Sequence, residues 1–175
     1  MLGFIHAHTG WLFARKKANH HRYAQDLLDD PVVAAVSRQF RLILALSYFV
    51  IPFALGLAIT GRLVGGLETL LWGGVLRVFF FHHATWSVNS VCHMWGKSPF
   101  KTRDCSTNNK YLALLQLGEG WHHNHHAFPW SAKFGLLRWQ FDPTWCLIWA
   151  LEKLGLVWNV QRVAPEGIEG KKATS

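Results

Sequence analysis

An uncharged run, LILALSYFVIPFALGLAIT at positions 42–60, constrains this chain more than any other feature of its sequence. At a rise of about 1.5 Å per residue, a helix over this run nearly crosses the hydrocarbon core of a bilayer, which is about 30 Å thick. Pro52 lies inside the run, and transmembrane helices tolerate an internal proline better than soluble helices do. The run therefore predicts a membrane-spanning helix, with the buried helix of a soluble protein as the alternative.

A second apolar segment, from about position 67 to 90, follows a short connector that contains glycine. It carries Arg77, His82 and His83. Ionisable side chains at membrane depth are costly and usually face protein, so we expect this segment to be less exposed to lipid than the first. Basic residues lie before the first span and after the second, which predicts a hairpin with both ends cytoplasmic. We therefore expect an integral, multi-pass membrane protein.

The composition agrees with a membrane location. Half of the residues are hydrophobic and 16% are charged, against about 25% in a typical soluble domain. The net charge is +8, but the basic residues do not interleave with aromatic residues, so we expect membrane lipid as a partner and no nucleic acid. The three cysteines lack metal-site spacing, which predicts free thiols. Motifs of phosphate-binding loops and serine hydrolases are missing from the sequence.

Eleven histidines are the outlying count, and the sharpest cluster is GEGWHHNHHAFP at positions 118–129. In a helix, His122, His125 and His126 follow i, i+3, i+4 spacing and share one face. Three imidazoles on one face can bind a metal ion such as iron, zinc or copper. His123 is expected to point away from them, either to support the ligands or to lie at the surface. The alternative to a metal site is a solvated histidine-rich patch.

Asn89 and His93 form a second candidate pair, one helical turn apart at the cytoplasmic end of the second span. A histidine can bind a metal directly, and an asparagine oxygen can hold a metal-bound water. A lone histidine at a helix end can equally be a packing residue. The remaining histidines share no ligand spacing and receive no role: His6, His8, His20, His21, His82 and His83.

Four segments taken in order resemble the membrane fatty acid desaturases of the stearoyl-CoA, delta-9 type, in a bacterial style. They are GFIHAHTGWLF (3–13), HHATWSVNSVCHMWGKSPFKTRDCSTNN (82–109), GEGWHHNHHAFP (118–129) and LRWQFDPTWCLIWALEKLGL (137–156). The resemblance extends to about Val163 and makes residues 1–163 the C-terminal portion of a desaturase domain. Residues 164–175 match nothing in that family, and we predict a disordered tail there.

The resemblance implies an all-α fold in which a membrane helical hairpin of two transmembrane helices carries a cytoplasmic helical cap with a His-box metal site. This would be the second half of a four-transmembrane-helix desaturase. It also implies an oxidoreductase that uses O2 to introduce a cis double bond, at the delta-9 position, into a saturated acyl chain at a di-iron centre, in unsaturated fatty acid biosynthesis. The implied partners are an acyl-CoA, acyl-carrier or acyl-lipid substrate and an external electron donor, either ferredoxin or a cytochrome b5-like protein. Two alternatives are a membrane di-iron fatty acid hydroxylase and a non-catalytic desaturase-derived membrane fragment.

Individual residues match ligands of that family. His122, His125 and His126 match its third histidine box, HxxHH, whose members bind iron, and His93 matches a further ligand in the segment NSxxHxxG. Asn89 matches the asparagine that holds an iron-bound water. Three nearby residues receive no site role: Trp121, Arg103 and Asp104.

The first two histidine boxes of the family have no counterpart in these residues. The second, HRxHH, would precede the GF…H.GW motif, and here Met1 lies two residues before Gly3, where that motif begins. The resemblance therefore implies an N-terminally incomplete desaturase whose two-iron site is incomplete. On this basis we expect the chain to be inactive alone.

Overall fold

The computed structural model describes residues 2–14 and 19–173, and within those residues the fold is all-helical with no β-strand. This confirms the predicted all-α class. The α-helices of the described residues, in chain order, are α1 (Leu2–His8), α2 (His20–Tyr23), α3 (Gln25–Asp29), α4 (Pro31–Ala45), α5 (Ile51–Thr60), α6 (Leu63–Thr69), α7 (Arg77–Val91), α8 (Lys110–Leu115), α9 (His122–Ala127), α10 (Pro143–Lys153) and α11 (Pro165–Gly170).

The chain divides into two compact units. Residues 12–83 form the first, which we call the hairpin unit, and residues up to 11 together with those from 84 onward form the second, which we call the cap unit. The division falls inside α7. Every histidine that the sequence analysis assigns to a metal site belongs to the cap unit.

Two helices are long and apolar enough to cross a membrane. They run from Pro31 to Thr60 and from Leu63 to Val91, and few of their residues are buried. The first begins well before the predicted start at position 42 because Asp30 caps it, accepting hydrogen bonds from the backbone N–H groups of Val32 and Val33. The uncharged run marks only the later part of this helix, because Ser37, Arg38, Gln39 and Arg41 separate it from the apolar first turns.

Each long helix contains a π-helical turn. The first covers Leu46–Val50 and ends two residues before Pro52, which lies in the first turn of α5. The second covers Leu70–Leu76. Proline lacks a backbone N–H and its ring collides with the preceding turn, so a local widening of the helix at this point relieves the conflict. The internal proline is thus accommodated within a continuous helix, as the sequence predicts.

Glycines let the two helices of the hairpin unit approach closely. A Cβ atom on Gly56 would lie 2.3 Å from the backbone oxygen of Gly65, so no other residue fits there without moving the backbone. Gly61 ends α5 in the left-handed conformation, with φ of 65°, and its N–H donates to the carbonyl of Leu57. The chain then reverses and enters α6 at Leu63.

The cap unit has a small apolar core of Phe100, Ala127 and Phe128. Val163 and Ile168 pack against it, and the backbone N–H of Ala173 donates to the carbonyl of Pro99. The structure therefore departs from the predicted disorder over residues 164–173, because the segment contains apolar side chains that reach this core. Residues 174 and 175 of the predicted tail lie outside the described residues.

Candidate metal centre

Helix α9 carries most of the candidate site, and buried hydrogen bonds hold it. The side chain of Asn124, which is 1% exposed, donates to the carbonyl of Phe134 and to Oε1 of Gln140, at 2.6 and 2.7 Å. Its Oδ1 accepts from the Nδ2 of Asn108 at 2.6 Å. A six-residue helix has little stability of its own, so these three contacts fix its position and rotation.

Three imidazoles meet on one side of this helix. The Nε2 atoms of His122 and His126 lie 2.9 Å apart, and Nε2 of His93 lies 3.2 Å from Nε2 of His122. One ring nitrogen from each of the three lies within 4.8 Å of the others. The expectation that His122 and His126 share a face is therefore confirmed. His93 joins them from the turn that follows α7.

Burial and neighbouring rings favour the neutral form of two of these imidazoles, His122 and His93. Burial, together with the neighbouring rings of His126 and His93, lowers the pKa of His122 to about 3. Burial and His126 also lower the pKa of His93. Because a metal ion binds only an unprotonated imidazole nitrogen, a low pKa favours metal binding over proton binding at these rings.

The spacing of the three nitrogens fits one metal ion. Ligand nitrogens at about 2.1 Å from a first-row metal, with angles of about 90–110° between them, lie about 3.0–3.4 Å from one another. Of the two Nε2 separations, 3.2 Å lies in this range and 2.9 Å lies just below it. The donor set is entirely imidazole, which suits iron, zinc, copper or nickel better than calcium or magnesium.

Sequence reasoning missed one acidic partner of this cluster. Asp104 lies 2.9 Å from His126, its Oδ2 accepting from Nδ1 of the ring. Partial burial alone would raise the pKa of this carboxyl, but hydrogen bonds from Ser106 and His126 outweigh it and hold the pKa well below its usual range. No local spacing signals the pair, since 22 positions separate the two residues.

His125, the fourth predicted ligand, lies beside the cluster without joining it. The centroid of its ring is 6.2 Å from that of His122 and 4.7 Å from that of Phe134. Its Nδ1 is buried, and no group among residues 2–14 and 19–173 forms a hydrogen bond with it. A buried, unpartnered ring nitrogen next to three other imidazoles is compatible with a ligand role.

His123 points away from the cluster, as predicted, but it is not a surface residue. Its side chain is 1% exposed, and Nδ1 lies 3.0 Å from the hydroxyl of Ser106. Its Nε2 contacts the backbone of Phe100, whose ring stacks on the imidazole. His123 therefore ties α9 to the loop that carries Asp104. The surface option of the sequence analysis is wrong, because these partners bury the ring.

Asn89 is an exposed residue in the last turn of α7, one helical turn before His93 in sequence. Within the part of the chain that the structure describes, its amide forms no hydrogen bond with the histidine cluster. Its assignment to a metal-bound water stays a prediction. Trp121, by contrast, is buried and donates its indole N–H to the carbonyl of Phe141, so it is a packing residue.

Comparison with known proteins identifies relatives of this chain. No protein-family model matches it. Over 97% of its length, the chain is 42% identical to the hex-5-enoyl-[acyl-carrier protein] acetylenase of Moorena producens, covering 53% of that protein. Over 97% of its length it is 40% identical to the acyl-CoA C20 Delta5-desaturase of Anemone leveillei, covering 52%. Over 91% of its length it is 38% identical to the sn-1 stearoyl-lipid 9-desaturase of Anabaena variabilis, covering 56%.

These matches confirm the resemblance to fatty acid desaturases that the motifs indicate. The aligned region takes in more than nine-tenths of this chain in each case. The chain spans about half the length of the curated relatives it matches. The names of the three relatives differ in the acyl carrier and in the position and kind of unsaturation.

Proposed function

We propose that this chain is part of a fatty acid desaturase, an oxidoreductase that uses O2 to introduce a cis double bond into a saturated acyl chain. One observation carries the proposal: three imidazoles converge with metal-ligand spacing in a chain whose relatives include desaturases. A delta-9 position is our preferred assignment, because the Anabaena relative is a 9-desaturase and the motifs resemble that type.

The proposed cofactor is iron. His93, His122 and His126 would hold one ion, and His125, with its buried and unpartnered Nδ1 beside them, is the further candidate ligand. Bound iron would supply the activation of O2 and the removal of hydrogen from the acyl chain. The chain's own part is to orient the ligand rings, through Asp104 at His126 and through the hydrogen bonds that fix α9.

We further propose that these residues do not complete the reaction alone. Four histidines are assigned as ligands, and a two-iron centre needs more donors than these side chains provide. The acyl substrate, whether CoA-bound, carrier-bound or lipid-bound, and an external electron donor of the ferredoxin or cytochrome b5 type complete the proposed system.

The test is a chimera in which this chain replaces the aligned segment of the Anabaena 9-desaturase. Expressed in a strain that requires unsaturated fatty acids, the chimera should restore growth, and mass spectrometry should place the new double bond at position 9. The His122→Ala chimera should make no product. His20→Ala is the matched control, because His20 is exposed and lies outside the cluster.

Other results of the chimera experiment would refute or change the desaturase proposal. A folded chimera that makes no unsaturated product would refute the desaturase proposal. A hydroxylated product would favour the hydroxylase alternative. Growth supported by the 175-residue chain alone would show that it needs no further ligands.

We propose a topology in which the two long helices span the membrane and both ends are cytoplasmic, supported by their length, apolar composition and basic flanks. Exposed native thiols at Cys105 and Cys146 provide reporters. In intact cells, a membrane-impermeant maleimide should label a Val64→Cys variant at the new thiol, whereas Cys105 and Cys146 should react only after permeabilisation. Labelling of Cys105 or Cys146 from outside would refute this orientation.

A further inference from the structure

The carboxylate of Asp104 is held in one orientation by its own loop. Its Oδ1 accepts the backbone N–H of Ser106 at 2.8 Å, and the hydroxyl of Thr102 lies 3.5 Å from the same oxygen. The second oxygen, Oδ2, is thereby left to face Nδ1 of His126 at 2.9 Å. The direction of the hydrogen bond to His126 is thus set by the fold of residues 102–106.

The loop itself is tied to α9 by a second connection. The hydroxyl of Ser106 lies 3.0 Å from Nδ1 of His123, and both residues are almost fully buried. The distance between Asp104 and His126 therefore does not depend on one exposed contact. Asp104 and the ring that it contacts are fixed to each other through Ser106 and His123, the residue next to His122.

This contact decides which nitrogen of His126 carries the proton. A carboxylate can only accept, so Nδ1 of His126 must be the donor. In the neutral ring, Nε2 is then unprotonated, and its lone pair points towards Nε2 of His122, 2.9 Å away. Metal-binding histidines commonly use such a carboxylate to fix the tautomer and orientation of the ring.

We propose that Asp104 is a positioning residue of this site, which holds His126 as the Nδ1–H tautomer and presents its Nε2 to a metal ion shared with His93 and His122. This inference rests on the proposed metal site. Asp104 does not touch the metal or the acyl chain, and it acts only through His126. The side chains of Asp104 and His126 are 38% and 29% exposed, so their pairing contributes little to folding and Asp104 can be replaced without loss of the fold.

The first measurement needs no metal. Nitrogen-15 NMR of the full 175-residue chain in detergent micelles, at mildly alkaline pH, reports the tautomer of each histidine, and a His126→Gln variant assigns the signal. We expect His126 to be Nδ1–H in the parent chain and to shift towards the Nε2–H form in Asp104→Ala. Asp104→Asn should keep much of the parent signal, since an amide oxygen still accepts the hydrogen bond. A merely structural role for Asp104 would leave the tautomer of a folded chain unchanged.

The second measurement is a titration of the same chain with Co²⁺, followed by its visible absorption. Asp104→Ala should weaken Co²⁺ binding about 10- to 100-fold, the usual effect of removing a partner of a metal-binding histidine. Asp104→Asn should lie between Asp104→Ala and the parent. Asp26→Ala, an exposed change in α3, is the matched control and should leave the affinity within twofold.

Two results would overturn the proposal: an unchanged His126 tautomer in Asp104→Ala, or a Co²⁺ affinity within twofold of the parent in that variant while His126→Gln weakens binding. If the parent chain binds no Co²⁺, the proposed metal site fails. The role of Asp104 in orienting His126 is then still decided by the NMR signal, so the two failures are distinguishable.

Discussion

Replacement of Asn124 tests whether the histidine helix depends on its buried hydrogen bonds. In Asn124→Ala, three side-chain hydrogen bonds disappear, to Phe134, Gln140 and Asn108. Each is worth about 1 kcal/mol net, so we expect a loss of about 3 kcal/mol in the free energy of unfolding. For a chain of this size, that corresponds to a fall in Tm of about 6–12 °C.

The cost of Asn124→Ala in folding stability depends on which partners of Asn124 keep another hydrogen bond. Gln140 Oε1 keeps a hydrogen bond from the backbone N–H of Leu137, so it is not orphaned. The Nδ2 of Asn108 and the carbonyl of Phe134 lose the partner that Asn124 provides, and Asn108 is buried. Asn124→Asp should be worse than Asn124→Ala, because a carboxylate would then face two acceptor oxygens at the positions where the amide now donates.

Thermal unfolding in detergent, followed by tryptophan fluorescence, measures the effect. The control is Asn19→Ala, since Asn19 is exposed and its side chain makes no capping hydrogen bond at the start of α2. Asn19→Ala should unfold within about 1 °C of the parent, a shift well under 1 kcal/mol. If Asn124→Ala also unfolded within about 2 °C of the parent, the buried network would not be what stabilises the histidine helix.

Three further predictions concern other parts of the chain. Gly56→Leu should destabilise the hairpin unit by about 1–3 kcal/mol in denaturant titrations, because its Cβ would collide with the Gly65 backbone. Gly3→Ala, with open space around its Cβ, should not destabilise the chain, and equal stabilities of the two variants would contradict the close approach of the helices. Ile168→Asp should release residues 164–173 from the apolar core and raise their hydrogen exchange, while Ile168→Val should not; unchanged exchange would contradict that packing. In detergent, a maleimide should label the exposed Cys105 and Cys146 much faster than the buried Cys92, and equal rates would exclude the burial of Cys92.

The features that the sequence predicts well are those with a local pattern. The uncharged run at 42–60 identifies a long helix because length and hydropathy are read from consecutive residues, and the confirmed pairing of His122 with His126 follows from helical spacing. The start of that helix at Pro31 is less visible, since charged residues at 38 and 41 interrupt the apolar run and the signal there is only Asp30 before a proline.

The features that sequence reasoning misses depend on contacts between distant residues. Asp104 has no spacing that links it to His126, and the burial of His123 depends on Ser106 and Phe100 arriving from another loop. The order of residues 164–173 likewise depends on a core built from Phe100 and Phe128. The ligand roles of His93, His122, His125 and His126, and the role of Asn89, stay predictions until metal binding is measured.

The hydrogen bonds of Asn124 also impose an order on the assembly of the site. Its partners come from both sides of the histidine helix in sequence, Asn108 before it and Phe134 and Gln140 after it. A helix of six residues does not persist without such contacts. During synthesis, the histidines are therefore expected to remain unarranged until the chain has been made through Gln140, and the proposed metal ion would bind only after these later segments have folded back.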